Sequence, residues 1–89
     1  MGKVIATMRV MPDRPDADLQ AIQKKIKTII EKHGEFARSE TQPIAFGLKA
    51  VIVYFMVPDT SGGTSEIESL VSKIPNVQSV EVIDVRRAI

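Results

Sequence analysis

Apolar side chains are most concentrated in residues 50–57, which form the longest apolar run in the chain. The run is rich in β-branched and aromatic residues and is followed by Pro58, so it predicts a strand that is buried on both faces. It is shorter than the roughly 20 apolar residues that a membrane span requires, so no membrane partner is expected. Packing alone does not explain the segment before it, residues 43–49, which combines a proline, apolar residues and a glycine.

A first strand is predicted at residues 4–11, and one of its faces is wholly apolar: Val4, Ala6, Met8 and Val10. A helix is predicted after a turn at residues 13–16, because apolar residues recur at the spacing of one helical stripe: Leu19, Ile22, Ile26, Ile29 and Ile30. Asp16 or Asp18 can cap the start of this helix, and Gly34 is predicted to cap its end.

Residues 35–42 are polar and predict either a charged edge strand or a plain loop. A loop is expected at residues 60–63, and Thr64 or Ser65 is the expected cap of a second helix. That helix has its own apolar stripe: Ile67, Leu70, Val71 and Ile74. Residues 77–85 predict the last strand, which leaves residues 86–89 as a tail.

The two halves of the chain resemble one another, since a Pro-Asp pair ends the first strand at Pro12 and the third strand at Pro58. Each half is a strand, a helix and a strand. Two such units predict an α+β, ferredoxin-like sandwich of order βαββαβ, with a four-stranded antiparallel sheet and both helices on one face. Strands one and three are central in that topology.

The open face of such a sheet should be polar, but the third strand has apolar residues on both faces. One set is Leu48, Ala50, Ile52, Tyr54 and Met56, and the other is Val51, Val53, Phe55 and Val57. Either set would leave an apolar strip on the open face. Such a strip indicates a partner or a second copy of the chain, or else only the β-propensity of a modestly exposed strand.

The size and composition of the chain restrict its chemistry. Residues 1–89 are expected to form one domain, and the net charge of +1 gives no reason to expect general attraction to nucleic acid. The absence of cysteine excludes disulfides and cysteine-ligated zinc, and a cytoplasmic location is the natural one. His33 is the only histidine and is predicted to complement a helix dipole, so no metal and no cofactor are expected.

Two features remain as candidates for function. Residues 43–47 form a proline-initiated apolar segment with Phe46 before Gly47, which indicates a binding loop or a bulge with Phe46 in the core. Arg86 and Arg87 are paired cations that indicate a binding site or a solubilising tail. RNA recognition is a weaker hypothesis, because modules of this fold stack bases on aromatic residues of both central strands and the first strand here has none.

The combination of these segments resembles the archaeal elongation factor 1-beta proteins, equivalents of the nucleotide-exchange domain of the eukaryotic factor. The resemblance rests on the Pro-Ile-Ala-Phe-Gly-Leu-Lys run at 43–49, the Gly-Gly-Thr run at 62–64 and the Asp-Val-Arg-Arg ending at 84–87. It covers essentially the whole chain. It implies a ferredoxin-like fold and a factor that binds the GTPase elongation factor 1-alpha and speeds replacement of GDP by GTP, without being an enzyme.

The resemblance also implies a partner-binding site. Phe46 would be an apolar anchor against the GTPase, within a loop that includes Ile44 and Gly47, and Lys49 would be a charge at the rim. In the eukaryotic relatives a lysine near the carboxyl terminus reaches the Mg²⁺ and phosphate region of the GTPase. Here that position is Arg87, with Arg86 beside it. The alternative function is a ferredoxin-like ligand-sensing or oligomerisation module, with self-association through the open face.

Overall fold

The computed structural model describes residues 2–58 and 63–87. Its elements are β1 (Lys3–Pro12), α1 (Leu19–His33), β2 (Glu35–Pro43), β3 (Lys49–Pro58), α2 (Gly63–Ser72) and β4 (Val77–Arg87). The strands form one antiparallel sheet in the order β2-β3-β1-β4, so the two predicted central strands are central. The ferredoxin-like prediction is confirmed, and residues 35–43 are the edge strand rather than a plain loop.

One hydrophobic core joins both helices to a single face of the sheet. The sheet contributes alternate residues of its two central strands, among them Met8, Val10, Val53 and Phe55. The helices contribute the predicted stripes, of which Ile22, Ile26, Ile30, Ile67 and Val71 are buried. Burial of these aliphatic side chains, at roughly 1.5–3 kcal/mol for each large one, is the main force that holds the helices on the sheet.

The ends of α1 follow from two residues. Asp18, rather than Asp16, is the N-cap, and its carboxylate accepts a hydrogen bond from the Ala21 N–H at 3.2 Å. Gly34 is the C-cap as predicted, but its φ of −175° is an extended conformation that any residue can adopt. A glycine is required there because a Cβ atom would lie 2.2 Å from the Met56 carbonyl oxygen of β3. The close approach of the chain to the sheet therefore explains this residue.

Two boundary predictions are wrong. α2 begins at Gly63, so Thr64 and Ser65 lie within its first turn and neither is the cap, while the rest of the predicted loop is outside the described residues. β4 continues to Arg87, so Arg86 and Arg87 belong to a strand and not to a tail. Their backbones pair with Ile5 and Val4 of β1. No helix in the described ranges is long and apolar enough to cross a membrane.

Candidate partner-binding surface

The connection between β2 and β3 is a tight loop, residues 44–48, which holds one short 3-10 turn, Ala45–Gly47. The Ile44 N–H donates to the Leu48 carbonyl at 2.8 Å, and the Leu48 N–H donates to the Ala45 carbonyl at 3.2 Å. Phe46 (φ 62°, ψ 31°) and Gly47 (φ 76°) are both left-handed. This conformation is easy for glycine but costs an L residue roughly 1–2 kcal/mol. The loop thus holds Phe46 in a defined but strained position.

Phe46 is 93% exposed, so the interpretation that it packs in the core is wrong. The loop is also a turn between two strands rather than a bulge within one, and Leu48 lies in it instead of in β3. A phenylalanine at the tip of a loop, in a backbone conformation that disfavours it, adds nothing evident to the packing of this chain. It has the properties of an apolar anchor that becomes buried only when a partner binds.

A cleft of about 500 Å³ lies between this loop and the open face of the sheet. Its lining includes Ile44, Phe46 and Leu48 from the loop, Arg9 and Met11 from β1, and Glu81 from β4. Arg9 and Glu81 are paired in register and form a partly exposed ion pair. An ion pair of this kind is worth at most about 1 kcal/mol, so a charged group of a partner can rearrange it at little cost.

The sequence did not indicate that Arg9, Met11 or Glu81 belong to this site. Arg9 lies on the mixed face of the first strand, and its position beside Glu81 depends on the register between β1 and β4. That register shifts at two places, between Thr7 and Met8 and between Met11 and Pro12. Residue types alone do not specify such shifts, so the sequence does not predict which residues line the cleft.

The predicted site residues separate into two groups. Ile44, Phe46 and Gly47 lie together in the loop, and Lys49 is exposed at its base, where strand alternation directs it to the helix side of the sheet. Arg87 is at the other end, paired with Val4, which in turn pairs with Val57. Val57 lies eight positions after Lys49 along β3, so at about 3.3 Å per position the two groups are roughly 26 Å apart.

The two arginines point to opposite faces of the sheet. Arg86 pairs with Ile5 on the open face, and its Nε donates to Asp84 Oδ2 at 3.0 Å. Arg87 pairs with Val4, a residue that packs against the core from the helix side. Arg86 therefore lies on the same face of the sheet as the cleft beneath Phe46, whereas Arg87 lies on the helix side.

The open face between the two ends is apolar at its centre and charged toward its edges. Ile52 is buried, and Tyr54 carries the Arg38 guanidinium over its ring at 4.3 Å. The Tyr54 hydroxyl donates to Glu40 Oε1 at 2.8 Å. This hydrogen bond is the largest reason that the pKa of Tyr54 is raised above its ordinary value of 10.0; desolvation and the charge of Glu40 act in the same direction, and Arg38 opposes them.

Two large apolar residues on β4 are exposed on different faces. Ile83 is 46% exposed and borders the open face with Thr7 and Tyr54. Val85 is 51% exposed and pairs with the buried Ala6, which puts it on the helix side. The apolar strip predicted for the open face is therefore present, although side chains of neighbouring strands cover its centre. In the described part of the chain no cluster of acidic or histidine side chains suits a metal ion.

Comparisons with known proteins agree with this architecture. The chain is 42% identical over 87 residues to elongation factor 1-beta of Methanobrevibacter smithii. It is 46% identical over 87 residues to elongation factor 1-beta of Methanothermobacter thermautotrophicus. Each alignment covers 98% of this chain and 98% of the relative. Its fold is similar to the ACT domain from GTP pyrophosphokinase of Chlorobium tepidum, with a TM-score of 0.65 and 15% identity over 91% of this chain and 99% of that one. The family model of the EF-1 guanine nucleotide exchange domain matches residues 5–88, and the chain belongs to this family of translation elongation factors.

Proposed function

We propose that this protein promotes the exchange of GDP for GTP on the GTPase elongation factor 1-alpha during protein synthesis. The whole chain, residues 1–89, would act in the cytoplasm as a single nucleotide-exchange domain, without a cofactor and without direct contact with nucleic acid. Membership in the exchange-domain family supports the proposal. On this proposal the chain is a regulator of a GTPase and not an enzyme that makes or breaks bonds.

The observation that carries the proposal is the exposure of Phe46 on a hydrogen-bonded loop. Aromatic residues that a partner buries often dominate the energy of an interface. Below the ring, the cleft supplies apolar side chains and the ion pair of Arg9 with Glu81. A segment of the GTPase that inserts an apolar group and a charged group there would be held in one orientation.

Exchange requires that the protein bind the nucleotide-free GTPase more tightly than the GDP-bound form. Thermodynamic linkage then requires that it weaken GDP binding by the same factor, typically between 5- and 150-fold. The protein lowers the barrier to release and does not choose a direction, because the ratio of GTP to GDP decides which nucleotide enters.

The second group of site residues would weaken the binding of the nucleotide to the GTPase. Arg86 and Arg87 lie roughly 26 Å from the loop, so a GTPase held at Phe46 would meet them with a different part of its surface. A guanidinium there can pair with carboxylates or phosphates, and it competes electrostatically with a metal ion for them. In this arrangement the loop provides affinity and the arginines weaken nucleotide binding.

Two matched variants test whether the open face meets the GTPase. Ile83→Asp places a charge on the open face, whereas Val85→Asp places one at a similarly exposed position on the helix side. We expect Ile83→Asp to weaken binding to nucleotide-free elongation factor 1-alpha, measured by titration calorimetry, more than Val85→Asp does, because Val85 lies on the helix side, where only the neighbouring Arg87 is proposed to meet the GTPase. Equal effects of the two variants would contradict this orientation.

A second candidate function is a ferredoxin-like module for ligand sensing or oligomerisation. The observation in its favour is the apolar strip on the open face, where Ile5 and Ile83 are both exposed. Sedimentation equilibrium separates the two candidates: a dimer that Ile83→Asp dissociates, in a protein that does not accelerate GDP release, would favour the second.

A further inference from the structure

A groove of about 390 Å³ runs between the two helices on the side of the molecule away from the open sheet face. The proposed exchange function does not use it. Its lining includes Lys24, Lys25 and Ile29 of α1, Leu70 of α2, and Lys73 and Ile74 after that helix. The groove therefore forms where the two helices lie side by side over the sheet.

The floor of the groove is aliphatic. Ile29 and Leu70 belong to the apolar stripes of their helices, yet both remain half-buried, since the core lies below them and no third layer lies above. Two packed helices present a valley of this kind to a third helix, whose side chains can fill it as ridges fill grooves. An amphipathic helix with apolar residues three and four positions apart fits this shape.

The rim of the groove is positively charged, which favours a negatively charged partner. Lys24, Lys25 and Lys73 are exposed around it, and none of the residues that line it is acidic. Glu66 of α2 lies 3.9 Å from His33 of α1 and does not line the groove. In a chain whose net charge is only +1, this is a local concentration of positive charge beside an apolar floor.

A nucleic acid fits this groove less well than a protein segment. Single-stranded nucleic acid needs aromatic side chains on which its bases can stack, and the lining contains none. An acidic amphipathic helix satisfies both observations, because its apolar side chains fill the floor and its carboxylates pair with the lysines. Complementary charge of this kind contributes mainly to specificity and to the rate of association.

We propose that the groove is a docking site for an acidic amphipathic helix of a partner protein other than the GTPase. The helices cover one face of the sheet, and the cleft beneath Phe46 opens on the other, so the two surfaces lie on opposite sides of the sheet. An exchange factor bound through this groove can be held in a larger assembly while its open face remains available to the GTPase.

A synthetic helical peptide with leucines three and four residues apart and flanking glutamates is the probe, and fluorescence anisotropy is the measurement. We expect saturable binding to the full chain, weakened at least roughly tenfold by the combined substitutions K24E, K25E and K73E. Lys32→Glu is the matched control for Lys73→Glu alone, because each reverses one exposed charge and Lys32 does not line the groove. A peptide with lysines in place of glutamates should bind at least roughly tenfold more weakly.

Amide chemical shifts locate the peptide on the protein. Changes centred on Thr28, Leu70 and Lys73 support the proposal, whereas changes centred on the open face overturn it. Failure of the glutamate peptide to bind, or equal binding of the lysine peptide, also overturns it. The triple variant should accelerate GDP release from elongation factor 1-alpha as the wild type does. Slower release would show that the GTPase itself occupies the groove and would overturn the choice of partner.

Discussion

Phe46 shows what residue type predicts and what it does not. An aromatic residue next to a buried strand suggests a core position, but the chain holds it outside, in a left-handed turn that it shares with Gly47. Gly47 indicates an unusual backbone conformation at its own position, but it does not indicate that Phe46 is left-handed as well. A phenylalanine rarely adopts this conformation, so the residue types of this segment left a binding loop and a core position equally open, and only the resemblance of residues 43–49 to the exchange factors implied an anchor for a partner.

Replacing Phe46 separates an interface role from a packing role. Phe46→Ala should change the free energy of unfolding by less than about 0.5 kcal/mol, since the ring is exposed. Phe46→Gly should be at least as stable as the alanine variant, because glycine relieves the left-handed strain. Both variants should slow nucleotide exchange. A loss of stability of about 3 kcal/mol or more in Phe46→Ala, measured by urea unfolding, would show that the ring packs in the core and would contradict the interface role.

Tyr54 provides a prediction about pH. Its raised pKa means that folding favours the neutral phenol, whose hydroxyl donates to Glu40. The stabilisation from this residue is therefore fully present below the unfolded value of about 10 and is lost as the pH rises through the higher folded pKa. Tyr54 is the only tyrosine, so the absorbance of tyrosinate reports on it alone.

In this titration the native protein should ionise at a higher pH than the urea-unfolded chain. Glu40→Gln should bring the folded midpoint back toward 10, because it removes the carboxylate that raises the pKa. Identical midpoints for the wild type and Glu40→Gln would show that the hydrogen bond does not control this ionisation.

The sequence predicts the helices and strands better than it predicts where each one begins and ends. Both helices and the strands β1, β3 and β4 follow from the spacing of apolar residues, because burial dictates that spacing in any packing of this kind. The polar residues of β2 fit either an edge strand or a loop, so its type did not follow from that spacing. The ends are less predictable, since two successive arginines resemble a charged tail in sequence, although Arg86 and Arg87 pair with Ile5 and Val4 of β1. The start of α2 was missed for a similar reason, as Thr64 and Ser65 resemble caps in sequence but lie inside the helix.

Two glycines give a matched test of junction packing. Gly34→Ala should destabilise the protein by about 2–3 kcal/mol and lower Tm by roughly 10 °C, because the new Cβ would meet the backbone of Met56 at 2.2 Å. Gly47→Ala should cost only about 1 kcal/mol, since its surroundings are open and just the left-handed φ opposes it. Equal losses in thermal unfolding would contradict the close approach at Gly34.

The end of β4 carries a prediction about the nucleotide. Arg87→Ala should slow exchange by roughly 10- to 100-fold, the effect expected for the loss of a charged hydrogen bond, and should leave Tm almost unchanged. Arg87→Lys should retain much of the activity, since the resemblance implies a lysine at this position in eukaryotic relatives. Lys32→Ala controls for loss of a surface cation. An exchange rate for Arg87→Ala equal to that of the control would show that Arg87 does not take part in exchange.

The molecule as a whole presents two surfaces on opposite sides of one sheet. The fold was predictable because a repeated βαβ pattern has few ways to bury its apolar stripes. The cleft and the groove were not, because each combines residues that are distant in sequence, as Arg9 and Glu81 or Lys24 and Lys73 are. The long axis is 42 Å, so under the proposed function the loop and the arginines would contact well-separated parts of the GTPase.

The most direct measurement of the proposed function is the release of fluorescent GDP from elongation factor 1-alpha in the presence of excess unlabelled GTP. We expect the release rate to rise with the concentration of this protein until it saturates, while the final extent of exchange stays the same. The Phe46→Ala and Arg87→Ala variants should need more protein or reach a lower maximal rate. Release at the spontaneous rate at every concentration of the wild-type protein would contradict the proposed function.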